Sequence, residues 1–175
     1  GVDSISELSV NNNTCFESLK EYTNIHKDWL FGFFTYDIKN EIEKLSSNNY
    51  DGIKMPQLHF FQPKYVFILS DNSVKIEFFP EITNSKEIDN IFEEIINSNG
   101  NSTYNNYIIP TKNRCTKEEY IKTVKKLKAH IQRGDIYEVN FCQEFYSDNT
   151  EIQPLSIYFK LKDVSPTPFS CYYRL

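Results

Sequence analysis

Between Thr116 and Gly134 the chain carries the start, the face and the stop of one helix, and this segment constrains everything around it. Thr116 and Glu119 stand at capping-box spacing, where a hydroxyl and a carboxylate each meet a free backbone N–H of the first turn. Tyr120, Val124, Leu127 and Ile131 recur at helical spacing, with Ile121 widening the stripe. Gly134 sits where a helix ends in the left-handed conformation that a Cβ would penalise. Lys122, Lys125, Lys126 and Lys128 fall on the opposite, solvated side, so they read as a helix face and not as a phosphate track. A helix with one apolar stripe has to be covered, and strand-like runs on either side supply candidates for the cover.

Those runs alternate with further helices. Thr14 and Glu17 repeat the capping-box spacing, and Cys15, Leu19 and Tyr22 then mark a helix of about three turns. Trp29 to Tyr36 is almost continuously apolar, which predicts a strand buried on both faces, and Gly32 within it predicts a bulge or a close backbone approach. Lys39 to Leu45 suits a short helix. Tyr65–Leu69 and Val74–Phe79, joined through Asp71, Asn72 and Ser73, read as a hairpin. Asn84 and Glu87 open another helix, lined by Ile88, Ile91, Phe92, Ile95 and Ile96. The Asn- and Ser-rich stretch 97–113 is the expected connection between two regions, 1–110 and 111–175. Ile136 to Tyr146 reads as a turn and a strand. Pro154 suits the first turn of a helix carrying Leu155, Tyr158, Phe159 and Leu161, and Phe169 to Leu175 reads as a last strand.

Composition narrows the function classes. With 39% hydrophobic and 15% aromatic residues the 175-residue chain is expected to fold, and its net charge of -5 argues against general affinity for nucleic acid or anionic membrane. No apolar run approaches the ~18 residues that span a bilayer, and Gly1–Ser4 lack the features of a secretory leader. Cys15, Cys115, Cys142 and Cys171 are scattered, so a reducing cytoplasm is expected and each reads as a small hydrophobe, the last two in strands and Cys15 in a helix turn. His26, His59 and His130 have no metal-ligand spacing. The acid pairs Glu41/Glu43, Glu93/Glu94 and Glu118/Glu119 point in different directions on their helices, which suits solvated faces better than acid–base catalysis. No phosphate loop, zinc-protease helix or nucleophile elbow is present.

Two short runs carry a resemblance. Gly134-Asp135-Ile136-Tyr137-Glu138-Val139-Asn140 follows a helix and leads toward a strand, and Ser165-Pro166-Thr167-Pro168-Phe169-Ser170 follows the next helix. Upstream lies Asp28-Trp29-Leu30-Phe31-Gly32-Phe33-Phe34-Thr35-Tyr36-Asp37-Ile38-Lys39-Asn40. In this combination the chain resembles the chorismate-utilising large subunits of the anthranilate synthase and aminodeoxychorismate synthase family. The upstream run is most similar to the aminodeoxychorismate synthase component I branch. Glu138 departs from the glutamine usual in that family.

The resemblance implies an α+β fold: a partial two-sheet sandwich with outer helices, truncated at the chorismate-binding core. It implies amination of chorismate to 4-amino-4-deoxychorismate for folate synthesis, with Mg²⁺ as cofactor and a glutamine amidotransferase subunit supplying ammonia. Anthranilate synthase is the alternative, and a non-catalytic tryptophan- or amidotransferase-binding module is a third. The family's catalytic lysine, its glutamate acid/base and its magnesium carboxylates belong to motifs after the Pro-x-Pro-Phe run. No residue of this chain is therefore assigned a catalytic or metal-binding role, and the chain is expected to be an inactive fragment. The one site carried over is a partial tryptophan pocket at Pro168, Phe169 and Ser170, whose opposite wall, a Leu-x-Glu-Ser strand, is expected to precede Gly1.

Overall fold

The computed structural model describes residues 1–98 and 108–175, and the chain divides into two compact units, Gly1–Ser98 and Asn99–Leu175. Most of the predicted connection at 97–113 lies outside the described residues.

The first unit is an antiparallel sheet with helices. Its strands are β1 (Val2–Val10), β2 (Phe31–Phe34), β3 (Leu58–Ser70) and β4 (Ser73–Phe78); its helices are α1 (Cys15–Ile25), α2 (Lys39–Ile42) and α3 (Ser85–Asn97). β3 is the organising strand. Along Leu58–Phe61 it pairs with β1 on one edge and β2 on the other, and from Tyr65 onward β4 pairs with it. Tyr65 is matched with both Val2 and Phe78, so β4 takes the edge that β2 occupies further up. Pro63 lacks an N–H for the ladder, and the register slips beside it, between Ser4 and Ser6 of β1.

Register sorts the side chains by face. Leu8, Val10, Leu58 and Phe60 share one face, and Val10, Cys15 and Leu58 form its buried centre with Leu19 and Ile38 packed against them. The other face carries aromatic pairs, Phe31 with Phe61 and Phe33 with His59, each with ring centroids 6.0 Å apart.

Several local expectations need correction. β1 is a strand that the sequence pattern does not announce, since Ser6 stands on the side of Leu8 and Val10; pairing with β3 makes it one. The predicted strand at 29–36 shortens to Phe31–Phe34 and is half-exposed, because it pairs with β3 alone among the described strands. The Thr14/Glu17 capping box does not form. Instead Asn12 Oδ1 accepts from the Thr14 N–H at 3.1 Å, and the Glu41 carboxylate accepts from the N–H groups of Cys15 and Phe16 at 2.9 and 3.2 Å. A carboxylate reaching across from α2 thus satisfies donors that α1 leaves unpaired, where the helix dipole also favours it. The helix expected at 39–45 follows a 3₁₀ turn, Tyr36–Ile38, and ends at Ile42, where Glu43 turns extended. At α3, Asn84 caps the Glu87 N–H as expected, but the Glu87 side chain bonds elsewhere.

The hairpin and Gly32 agree with expectation, the close approach being the alternative that holds. A Cβ on Gly32 would stand 2.1 Å from the His59 carbonyl oxygen and 2.7 Å from the Phe60 Cα. Backbone on both counts, these neighbours cannot step aside cheaply.

The second unit contains β5 (Lys112–Asn113), α4 (Lys117–Arg133), β6 (Phe145–Tyr146) and α5 (Pro154–Val164). The α4 capping box forms in full, and Gly134 ends the helix at φ 81° with its N–H and that of Asp135 closing on Ile131 and His130. The strand expected over 136–146 reduces to β6, paired with β5, and residues 169–175 form no strand. Both runs have strand-like side chains, but outside Phe145–Tyr146 no described strand offers their backbones a ladder partner. Cys142 and Cys171 are accordingly exposed instead of packed in strands, while Cys15 is fully buried.

The two glycines should therefore fail differently when replaced. Gly32→Ala is expected to cost about 3 kcal/mol through backbone overlap, and Gly134→Ala about 1 kcal/mol, because its site is open and only φ is strained. Urea unfolding of both variants checks this; equal effects, or a larger one at Gly134, would contradict the steric account.

Candidate functional site

In the second unit, the residues after Asn113 gather around the start and the end of α4. At its start, Arg114 and Cys115 meet residues that follow the helix. The Arg114 guanidinium bonds the Glu144 carboxylate at 2.7 and 3.2 Å and lies 3.8 Å from the centre of the Tyr146 ring. Lys112 pairs with Asp148 at 3.0 Å from the same ribbon. The Cys115 thiol donates to Gln143 Oε1 at 2.6 Å, and the Gln143 amide returns a bond to the Cys115 carbonyl at 3.2 Å. Tyr120 stacks on Phe141 at 5.1 Å. Between these contacts lies an open, mainly apolar cavity of about 370 Å³, lined by Cys115, Thr116, Lys117, Tyr120, Gln143 and Phe145.

At the end of α4 a polar knot fixes the Gly134-Asp135 turn. Asp135 Oδ2 lies 2.7 Å from His130 Nδ1 and accepts from Arg133 Nε at 3.0 Å, with a second bond from the same guanidinium. The Arg133 guanidinium first, and the His130 ring second, hold the Asp135 carboxyl below the usual carboxylate range. Arg114 does the same to Glu144, and Asp148 raises Lys112. Asp135 is thus a turn-fixing group, and its neighbours in the motif, Ile136 to Asn140, run on as irregular backbone.

After α5 the chain turns back. Ser165 caps the helix through its N–H to the Leu161 carbonyl at 2.8 Å, and Pro168 and Phe169 occupy the middle of a turn closed by Ser170 N–H to the Thr167 carbonyl at 3.4 Å. Pro168, Phe169 and Ser170 therefore sit on one turn, and Phe169 is 95% exposed. The following residues lie against α5: Tyr158 packs on Tyr172 with centroids 5.7 Å apart, and its hydroxyl reaches the Ser170 carbonyl at 3.5 Å.

Sequence reasoning did not foresee the Cys115–Gln143, Arg114–Glu144 and Tyr120–Phe141 contacts. The first two join residues on opposite sides of α4 in the chain and the third joins α4 to a residue beyond it, so spacing alone carried no signal. Among the described residues no three His, Cys, Asp or Glu side chains gather to hold a metal ion, and no described helix is long and apolar enough to cross a membrane. The described side chains therefore do not fit a magnesium site.

The model of the chorismate binding enzyme family matches residues 4–175. The chain belongs to that family. Among its relatives, anthranilate synthase component 1 of Buchnera aphidicola subsp. Pemphigus spyrothecae is 30% identical over 164 residues, covering 87% of this chain and 31% of that protein. Anthranilate synthase component 1 of Acetivibrio thermocellus is 24% identical over 162 residues, 82% of this chain and 33% of that protein. Aminodeoxychorismate synthase component 1 of Bacillus subtilis matches over 57 residues at 32% identity, 33% of this chain and 12% of that protein. The solved structure of anthranilate synthase component I from Streptococcus pneumoniae TIGR4 superposes with a TM-score of 0.77 at 19% identity, over 98% of this chain and 46% of that one, which supports the α+β fold. The chain spans about a third of the length of the curated relatives it matches across most of its own residues.

The knot at Asp135 makes a testable electrostatic claim. Its depressed folded-state value means that its contribution is complete above the ordinary carboxylate range and disappears as pH falls through the lowered value. In a carboxylate titration by NMR, Arg133→Ala should raise the Asp135 midpoint more than His130→Ala does; the reverse order would contradict the assignment of Arg133 as the main partner.

Proposed function

We propose that this chain supplies scaffold to an enzyme that aminates chorismate, and that the product is 4-amino-4-deoxychorismate. The family match across residues 4–175 supports the use of chorismate, and the Asp28–Asn40 run, similar to the aminodeoxychorismate branch, supports the product. In this reading ammonia comes from a glutamine amidotransferase subunit, Mg²⁺ is bound by residues of the enzyme other than those described here, and the enzyme works in the cytoplasm. The described residues contribute folding surfaces and turns, not an acid, a base or a metal ligand. Regions 1–110 and 111–175 would be, in order, the N-terminal lobe and the beginning of the chorismate-binding domain.

Anthranilate is the second reading. It is favoured by relatives that match over most of the chain, three of which are named anthranilate synthase component 1. Under either reading Pro168, Phe169 and Ser170 form one wall of a tryptophan pocket, a role that suits an aromatic ring held on a proline-stiffened turn and left 95% exposed.

The product of the native gene, incubated with chorismate, Mg²⁺ and ammonium, should form 4-amino-4-deoxychorismate, while residues 1–175 alone should form nothing. Anthranilate from the native product would establish the second reading, and turnover by residues 1–175 would refute the scaffold role. The same assay run with tryptophan tests the pocket. Sensitivity to tryptophan that Phe169→Ala abolishes supports it, and sensitivity unchanged by that substitution removes it.

A further inference from the structure

Helix α3 is fastened to its unit at one end. Thr83, 4% exposed, and the N-cap Asn84 seat its first turn, where Asn84 Oδ1 accepts the Glu87 N–H at 2.9 Å. The Glu87 carboxylate is turned away from that cap and accepts from Lys64 Nζ at 2.8 Å and from the Tyr65 hydroxyl. Both partners belong to β3, and Tyr65 is 3% exposed at the point where β1 and β4 pair with it. The attachment therefore ends on the best-braced strand of the sheet.

Further along the helix, cover thins. Ile88 and Ile91 are half-buried, but Phe92 is 46% exposed, Ile95 40% and Ile96 66%, and no residue of α3 is buried. A helix of 13 residues is marginal by itself in water, and none of the apolar residues of α3 is fully buried. Lys64 and then Tyr65 hold the Glu87 carboxyl below the usual carboxylate range, and Glu87 raises Lys64.

We propose that Glu87, Lys64 and Tyr65 form a latch that fastens α3 to β3, and that its opening releases the helix while the sheet stays folded. This goes beyond the chorismate reading and does not depend on it. Lys64 also lines an open cleft of about 490 Å³ with Trp29, Pro63 and Phe79. Opening therefore uncovers Ile88 and Ile91 and, in the same event, leaves the Lys64 ammonium to that cleft. Local opening of this kind belongs to the low-stability end of a protein's motions, and polar, half-exposed attachments are where it starts.

Hydrogen exchange by mass spectrometry on the 175-residue chain reads the latch directly. Glu87→Gln should speed exchange of the α3 amides about tenfold, the loss of one charge-assisted contact, with the β3 amides of Leu58–Val66 unchanged. A charge swap, Lys64→Glu with Glu87→Lys, should restore part of the protection. A lysine in the first turn opposes the helix dipole, so restoration arises only from the cross-element pair. Unchanged α3 exchange in Glu87→Gln, a parallel rise in β3, or a swap that restores nothing would each overturn the latch.

Discussion

Pairing along β3 is the constraint on which the first unit depends. Its upper half satisfies backbone groups on both edges through β1 and β2, and its lower half turns directly into β4. Because register has a period of two, that pairing also decides which side chains face α1. Leu58 and Phe60 point with Leu8 and Val10 to one side, and Cys15 and Leu19 of α1 cover them. Gly32 follows from the same constraint, since β2 runs too close to His59 and Phe60 for any side chain. The buried core is small, and polar contacts carry a share of the order: Glu41 at the start of α1, and Glu87 at the start of α3.

The second unit is organised differently. Its strongest element, α4, is closed by its own residues at both ends, and the segments on either side are stitched to one another by Arg114–Glu144, Lys112–Asp148 and Cys115–Gln143. These pairs are half-exposed, where isolated ion pairs contribute little to stability. Their evident effect is on position: they hold Tyr146 and Phe145 beside the start of the helix.

What the sequence disclosed and what it hid divide along the same line. The caps of α4 were legible because Thr116, Glu119 and Gly134 act on their own turns, and the β3–β4 hairpin because its turn is local. The cap of α1 was misread, because Glu41 reaches Cys15 across 26 positions and outcompetes the nearby Glu17. Ile136–Tyr146 and Phe169–Leu175 have side chains that favour strands, yet a strand exists only where a partner does, and among the described strands only Phe145–Tyr146 has one. At the candidate site, the turn at Pro168, Phe169 and Ser170 was foreseeable from its prolines, whereas the packing of Tyr172 on Tyr158 depends on how the chain folds back. Family membership was legible from three short runs because their order, more than any one of them, is specific.

Family membership and fold together present a chain of the chorismate binding enzyme family whose first unit is built on a braced sheet. The braced sheet is the claim most open to a direct check. Site-resolved native-state hydrogen exchange by NMR should find the slowest amides of the first unit in β3 between Leu58 and Phe61, where both edges are paired. Slower exchange in α1 or β4 would contradict the account, because it would place the last structure to open outside the strand on which the others are built.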